Sequence, residues 1–192
     1  MRPRALVFLA VAALALAGCT LVPTASTPIA LPRHAVKFGL LDPTIPGTNG
    51  ARVIFVTQPV YVVDATGHLT PSSRIVPSPP NLDSVLRELV LGPTLIESSA
   101  GYTSALPHDL VILQATINKK GLGTIALAKP LSSLTPAEEV LAVGQLVFTA
   151  RAVGANAGIV VTVGGVPEKL LLPGGGTLVK VTEADYASLL NP

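Results

Sequence analysis

Two rhythms of apolar and polar residues run along this chain. Between Asn81 and Gly92 the apolar positions are Leu82, Val85, Leu86, Leu89 and Val90, the spacing of one helical stripe. Asn81 opens that helix. Gly92-Pro93 ends it, because a glycine after the last turn is followed by a residue that cannot continue the ladder. A second helix starts at Thr135, which caps it. Pro136 takes the first helical position, and Glu138 completes a capping box. Val140, Leu141, Gly144, Val147, Phe148 and Arg151 recur at helical spacing, and Gly154 terminates the run.

Elsewhere the rhythm shifts to β-branched and aromatic runs. Residues 52–56 and 59–63 read as strands, Ala65-Thr66-Gly67 as a turn, and 69–76 as extended again before the prolines at 77–80. A loop through Glu97 and Gly101 leads to Leu106-Pro107. Residues 110–117 and 123–128 flank Asn118-Lys119-Lys120-Gly121, the signature of a hairpin. Residues 159–163 are strongly β-branched, as a central strand would be. Residues 170–172 and 177–181 flank the turn Pro173-Gly174-Gly175-Gly176, and Thr182 opens a short final helix. The order predicts an α+β fold: a two-layer sandwich of a mixed, largely antiparallel sheet with two main helices and a short C-terminal helix.

The first 50 residues follow neither rhythm. Met1-Arg2-Pro3-Arg4 is basic, residues 5–17 are apolar, and Leu16-Ala17-Gly18-Cys19 ends the run. This is the plan of a secretory signal, and the apolar run is too short to span a membrane. Pro3 splits the two arginines, so the start is not a twin-arginine signal. Leu-Ala-Gly-Cys resembles the bacterial lipobox. That resemblance implies a signal peptide over 1–18, cleavage before Cys19, a thioether lipid on its sulfur, and acylation (palmitate) of the new amino terminus. Pro23, Pro28, Pro32, Pro43 and Pro46 then mark 19–50 as a tether, with an r.m.s. reach of roughly 30 Å. Phe38, Leu40 and Leu41 suggest that part of it docks on the domain, which is expected over 51–192.

Removing the leader changes the charge picture. The whole chain has 13 basic and 11 acidic residues; without Arg2 and Arg4 the basic count falls to 11, and the remainder is formally neutral. A neutral surface gives no electrostatic reason to expect nucleic acid. Cys19 is the only cysteine, so no disulfide forms within the chain.

Candidate chemistry is sparse. Gly121-Leu122-Gly123-Thr124-Ile125-Ala126 matches a dinucleotide fingerprint, but that loop must open a helix and here it enters a strand-like run. Ser98, Ser99, His108 and Asp109 are suitable types for a hydrolase, without a nucleophile-elbow motif. His34, His68 and His108 lack metal-ligand spacing. Tyr61, Tyr102 and Tyr186 read as packing residues in preference to a sugar-binding surface. No cofactor or metal is expected. Arg74 and Glu97 stand out in charge-poor segments as a binding contact or as a loop-anchoring ion pair. Gln145, near the apolar face of the second helix, reads as a buried hydrogen-bonder.

One family unites these pieces. Tyr61-Val62-Val63, Leu69, Arg74, Leu89-Val90-Leu91-Gly92-Pro93, Glu97, Gly101-Tyr102-Thr103-Ser104-Ala105-Leu106-Pro107, Gln145-Leu146-Val147-Phe148-Thr149, Val161-Thr162-Val163-Gly164-Gly165 and Asp185-Tyr186 resemble the sporulation and spore germination domain of the GerMN type. The resemblance implies a compact sandwich, often lipid-anchored in the envelope of Gram-positive bacteria, with no agreed catalytic residues. Some actinobacterial relatives carry an additional β-propeller and act beside a two-component sensor; these 192 residues contain no propeller pattern. The expectation is a non-catalytic accessory protein, held by Cys19 on the outer face of the cell membrane. Its domain would bind an envelope protein or cell-wall component. A carrier of a small apolar or glycan ligand is the alternative, and an envelope hydrolase the weakest.

Overall fold

The computed structural model describes residues 53–190. The expected signal peptide, Cys19, the tether and His34 lie outside the described residues. Strands β1 (Phe55–Val63) and β2 (Leu69–Pro77) form an antiparallel hairpin, paired from Val63↔Leu69 to Phe55↔Pro77. The Asp64 carboxylate ties the turn by accepting from the Thr66 N–H at 2.8 Å and the His68 N–H at 3.0 Å. Pro59, expected to separate two strands, lies inside β1. It is tolerated because its position, like Tyr61 and Val63, faces away from β2, where no ladder N–H is needed.

Helix α1 (Leu82–Val90) buries Leu82, Val85, Leu86 and Leu89 as its spacing predicts. Asn81 accepts from the Ser84 N–H, and the Ser84 side chain returns the bond. Helix α2 (Leu95–Ser99) occupies part of the expected loop. Strands β3 (Ile112–Ile117) and β4 (Gly123–Leu127) form the second hairpin, with Asn118 Oδ1 accepting from the N–H groups of Lys120 and Leu122. The glycines of the dinucleotide-like motif therefore shape a hairpin.

Helix α3 (Pro136–Ala152) begins with the expected capping box and leads to β5 (Ile159–Val163), which runs parallel to β4. β5 is central: it also pairs antiparallel with β6 (Val166–Pro167) and β9 (Lys180–Val181). β7 (Leu170–Leu171) and β8 (Thr177–Leu178) make a small ladder of their own. A 3-10 turn at Leu131–Ser133 precedes α3. The final segment, Glu183–Leu189, is also a 3-10 helix.

The fold is α+β, with the strands divided between the first hairpin, a five-stranded mixed sheet and the β7–β8 ladder. At Tyr61 the outer edge of the hairpin is bonded to Thr149 and Gln145 of α3 instead of to another strand. α3 is buried on every side from Ala142 to Ala150, more completely than a single stripe would be. Gly144 lets the helix approach its neighbours: a Cβ there would stand 2.8 Å from side-chain carbons of both Leu69 and Leu189. Among the described residues no helix is long and apolar enough to cross a membrane.

Candidate functional site

Arg74, Glu97 and Gln145, three of the residues that carry the family resemblance, converge on one loop, 91–107. Arg74 lies on β2 with its side chain turned inward and only 8% exposed. Its guanidinium reaches the Glu97 carboxylate with two parallel bonds, Nη1 to Oε1 at 2.9 Å and Nη2 to Oε2 at 2.8 Å. Nη2 also donates to the Gly92 carbonyl at 3.2 Å, so one side chain holds both ends of the turn that joins α1 to α2. The Ser72 hydroxyl donates to the same carboxylate.

Glu97 completes the local design. It is the third residue of α2, and its carboxylate accepts from the Thr94 N–H at 2.6 Å while the Thr94 hydroxyl accepts from the Glu97 N–H at 3.3 Å. This capping box, Thr94-Leu95-Ile96-Glu97, was the available sequence signal for the missed helix. The Arg74 guanidinium, helped by Ser72 and Thr94, holds the Glu97 carboxyl down at about 2 against its burial.

The far end of the loop is held by neutral groups. Thr103 exchanges two main-chain bonds with Val63 on β1, at 2.9 and 2.7 Å. Gln145 is fully buried on α3. It donates from Nε2 to the Tyr61 carbonyl at 2.8 Å, and its Oε1 accepts from the Ala105 N–H at 2.8 Å. Thr149, one turn on, accepts from the Tyr61 N–H at 3.0 Å. Gly101 supplies the positive φ of 86° the loop requires, where a β-carbon would crowd Ala65. Arg74 and Glu97 thus meet directly, while Gln145 acts at the other end of the same loop.

Among the described residues no hydrogen bond joins the side chains of Ser98, Ser99, His108 and Asp109 to one another. Asp109 is engaged by Lys129 at 2.6 Å, Ser99 donates to the Leu95 carbonyl, and Ser98 is exposed on α2. His68 Nδ1 lies 3.0 Å from the Thr66 hydroxyl. Tyr61 packs against Phe148, and Tyr186 is buried with its hydroxyl donating to the Leu171 carbonyl. Among the described residues no cluster of acidic, histidine or cysteine side chains could hold a metal ion.

The family described as Germane, sporulation and spore germination, matches residues 59–169, more than half of the chain. The chain belongs to this family. The tandem GerMN domains of the sporulation protein GerM from Bacillus subtilis share the fold with a TM-score of 0.54 and 16% identity, over 69% of this chain and 48% of that one. This chain therefore spans about half the length of the tandem protein. The first GerMN domain of GerM matches with a TM-score of 0.51 and 18% identity, over 67% of this chain and 98% of that one. At these identities the likeness is one of fold. No curated protein matches the sequence.

On this Germane domain the anchored loop turns apolar side chains to solvent. Leu91 is 76% exposed, Leu95 88% and Ile96 84%. No charged residue occurs between Leu89 and Ile96. Behind Leu91 an apolar groove of about 290 Å³ runs between Val90 and the stretch Leu110-Val111-Ile112. A second groove of about 580 Å³ lies between Val140 and Leu141 of α3 and Leu171, Leu172 and Leu189.

Proposed function

We propose that the chain is a lipid-anchored accessory protein of the cell envelope whose Germane domain binds another envelope component without catalysis. The observation that carries this reading is the corner between α1 and α2. A buried ion pair and a capping box fix a turn whose outward side chains are Leu91, Leu95 and Ile96. Rigid presentation of exposed aliphatic groups lowers the ordering cost of association and suits a binding surface. Cys19 and the tether support the location: anchoring confines the domain to a thin layer and raises its effective concentration near membrane partners. The scattered Ser98, Ser99, His108 and Asp109 support a non-catalytic role.

Crosslinking mass spectrometry on intact cells tests it, comparing wild type with Cys19→Ser and with a Leu95→Asp/Ile96→Asp double variant. A partner captured by wild type and lost in both variants is the expected result. Capture that survives in both would sink the reading. The groove beside Val140 and Leu171 supports a second reading, a carrier of a small apolar ligand. Native mass spectrometry would show that ligand as a fixed mass increment.

A further inference from the structure

The three long strands each have one edge that no strand occupies, and these edges differ. On β1 the outward main-chain groups of Tyr61 and Val63 are taken by Thr149, Gln145 and Thr103, and Pro59 has no N–H, which leaves only the far end, at Thr57 and Phe55, open among the described residues. On β2 the outward positions are Pro71, Ser73, Ile75 and Pro77; two have no N–H, and the Ser73 carbonyl accepts from Arg74. Prolines on an edge are a common guard against unwanted pairing.

β3 has no such guard. The Asn118 N–H donates to the Leu122 carbonyl at 3.0 Å, which sets the alternation of the hairpin. Gln114 and Thr116 therefore face β4, whereas Ala115 and Ile117 turn their N–H and C=O groups away from it. Gly123, opposite Ile117, accordingly donates on its other side, to the Gly158 carbonyl at 3.0 Å. Among the described residues no partner bonds to the outward groups of Ala115 or Ile117. The strand Ile112-Leu113-Gln114-Ala115-Thr116-Ile117 has neither charge nor proline. A groove of about 420 Å³ follows it, bounded by Ala115, Thr116 and Ile117 on one side and by Pro80, Leu82 and Val153 on the other. Consecutive strand residues line this groove, so it tracks the edge and not one pleated face.

We propose that β3 is a strand-addition site, which an extended, apolar segment of a partner protein occupies with an acidic residue beside Lys119 and Lys120. The charge distribution chooses this occupant. Among the described residues Lys119 and Lys120, at the tip of the β3–β4 hairpin, have no ion-pair partner, whereas Asp109 at the opposite end is neutralised by Lys129. The edge is thus neutral along its length and positive at one end. Main-chain pairing supplies the affinity and the lysines orient the segment. This inference shares with the reading above only that the domain binds a partner protein; it adds a second surface and does not depend on Cys19 or on the α1–α2 corner.

The test is amide exchange by NMR on the isotope-labelled full chain carrying Cys19→Ser, with a synthetic peptide of sequence EEVTVTV and a control, KKVTVTV. The expected result is about tenfold slower exchange at Ala115 and Ile117 with the acidic peptide, and clearly weaker protection with the basic one. Ile117→Pro removes one outward N–H, as Pro71 and Pro77 do on β2, and should abolish protection with the circular dichroism unchanged. Lys119→Glu/Lys120→Glu lies on the hairpin tip and should reverse the peptide preference, which keeps the test valid if Ile117→Pro unfolds. Absence of protection at about millimolar peptide would overturn the proposal, as would protection that ignores both variants. Protection that grows with protein concentration alone would overturn it in favour of pairing between two copies. Leu95→Asp/Ile96→Asp should leave peptide protection intact, which separates this result from a failure of the corner.

Discussion

Helices α2 and α3 begin with the same local device and come to opposite ends. Thr94-Leu95-Ile96-Glu97 and Thr135-Pro136-Ala137-Glu138 are both capping boxes with threonine at the cap and glutamate three residues on. After Thr135 the chain continues for 17 residues and becomes the buried centre of the domain. After Thr94 it makes five residues, none of them buried, and stops. The cap nucleates a turn in either case; burial decides how far the helix runs. The two glutamates diverge as well. Glu138 remains exposed and bonds to its own cap, while Glu97 is drawn inward to Arg74. α3 also reaches loop 91–107, but through the uncharged Gln145. One loop is therefore held by a charged anchor at one end and a neutral anchor at the other.

The largest expected effect comes from breaking the charged anchor. Arg74→Met leaves Glu97 without its counter-charge and should cost about 3 kcal/mol in urea unfolding. Adding Glu97→Gln to Arg74→Met should recover much of that loss, because the stranded carboxylate is gone. Gln145→Leu should cost about 2 kcal/mol, since the Tyr61 carbonyl and the Ala105 N–H lose their buried partner.

pH separates the two anchors. A carboxyl held below its ordinary value favours the fold above that value and loses its contribution as pH falls through the folded one. For Glu97 the window runs from 4.5 down to about 2. Thermal melts across this range should show wild-type stability falling, and Glu97→Gln should remove part of that slope. Gln145→Leu should shift the whole curve without changing its shape. Thr94→Ala and Thr135→Ala should each cost about 1 kcal/mol; a much larger loss for Thr94→Ala would mean that the ion pair depends on the cap. Smallest of all, Leu95→Asp with Ile96→Asp should change stability by about 0.5 kcal/mol or less. Lost binding in that variant would then be read as a surface effect.

The legibility of each element in the residues tracks the range of the forces that form it. Asn81 with its stripe and Thr135 with Pro136 and Glu138 are local signals, and both helices formed where those signals placed them. Asn118 and Gly121 marked their hairpin for the same reason. Pro59 misled because a proline's cost depends on which way its missing N–H would point, and that is set by β2. α2 was legible in Thr94 and Glu97 but was passed over among polar loop residues. Arg74 and Glu97 stood out as lone charges in charge-poor segments, which made a loop-anchoring ion pair legible despite their separation, whereas the reach of Gln145 to both Tyr61 and Ala105 was beyond local reading. Those two bonds join distant positions, which pattern alone does not pair.

The last described residues pack onto the first hairpin and the central helix. Leu190 bridges to Leu69 at the start of β2, Tyr186 is sealed in the core, and Leu189 lies across Gly144 from Leu69. Until these pieces have docked, the first hairpin and the central helix stay partly uncovered. Closure of the core is thereby left to the segment farthest along the domain from the hairpin it covers.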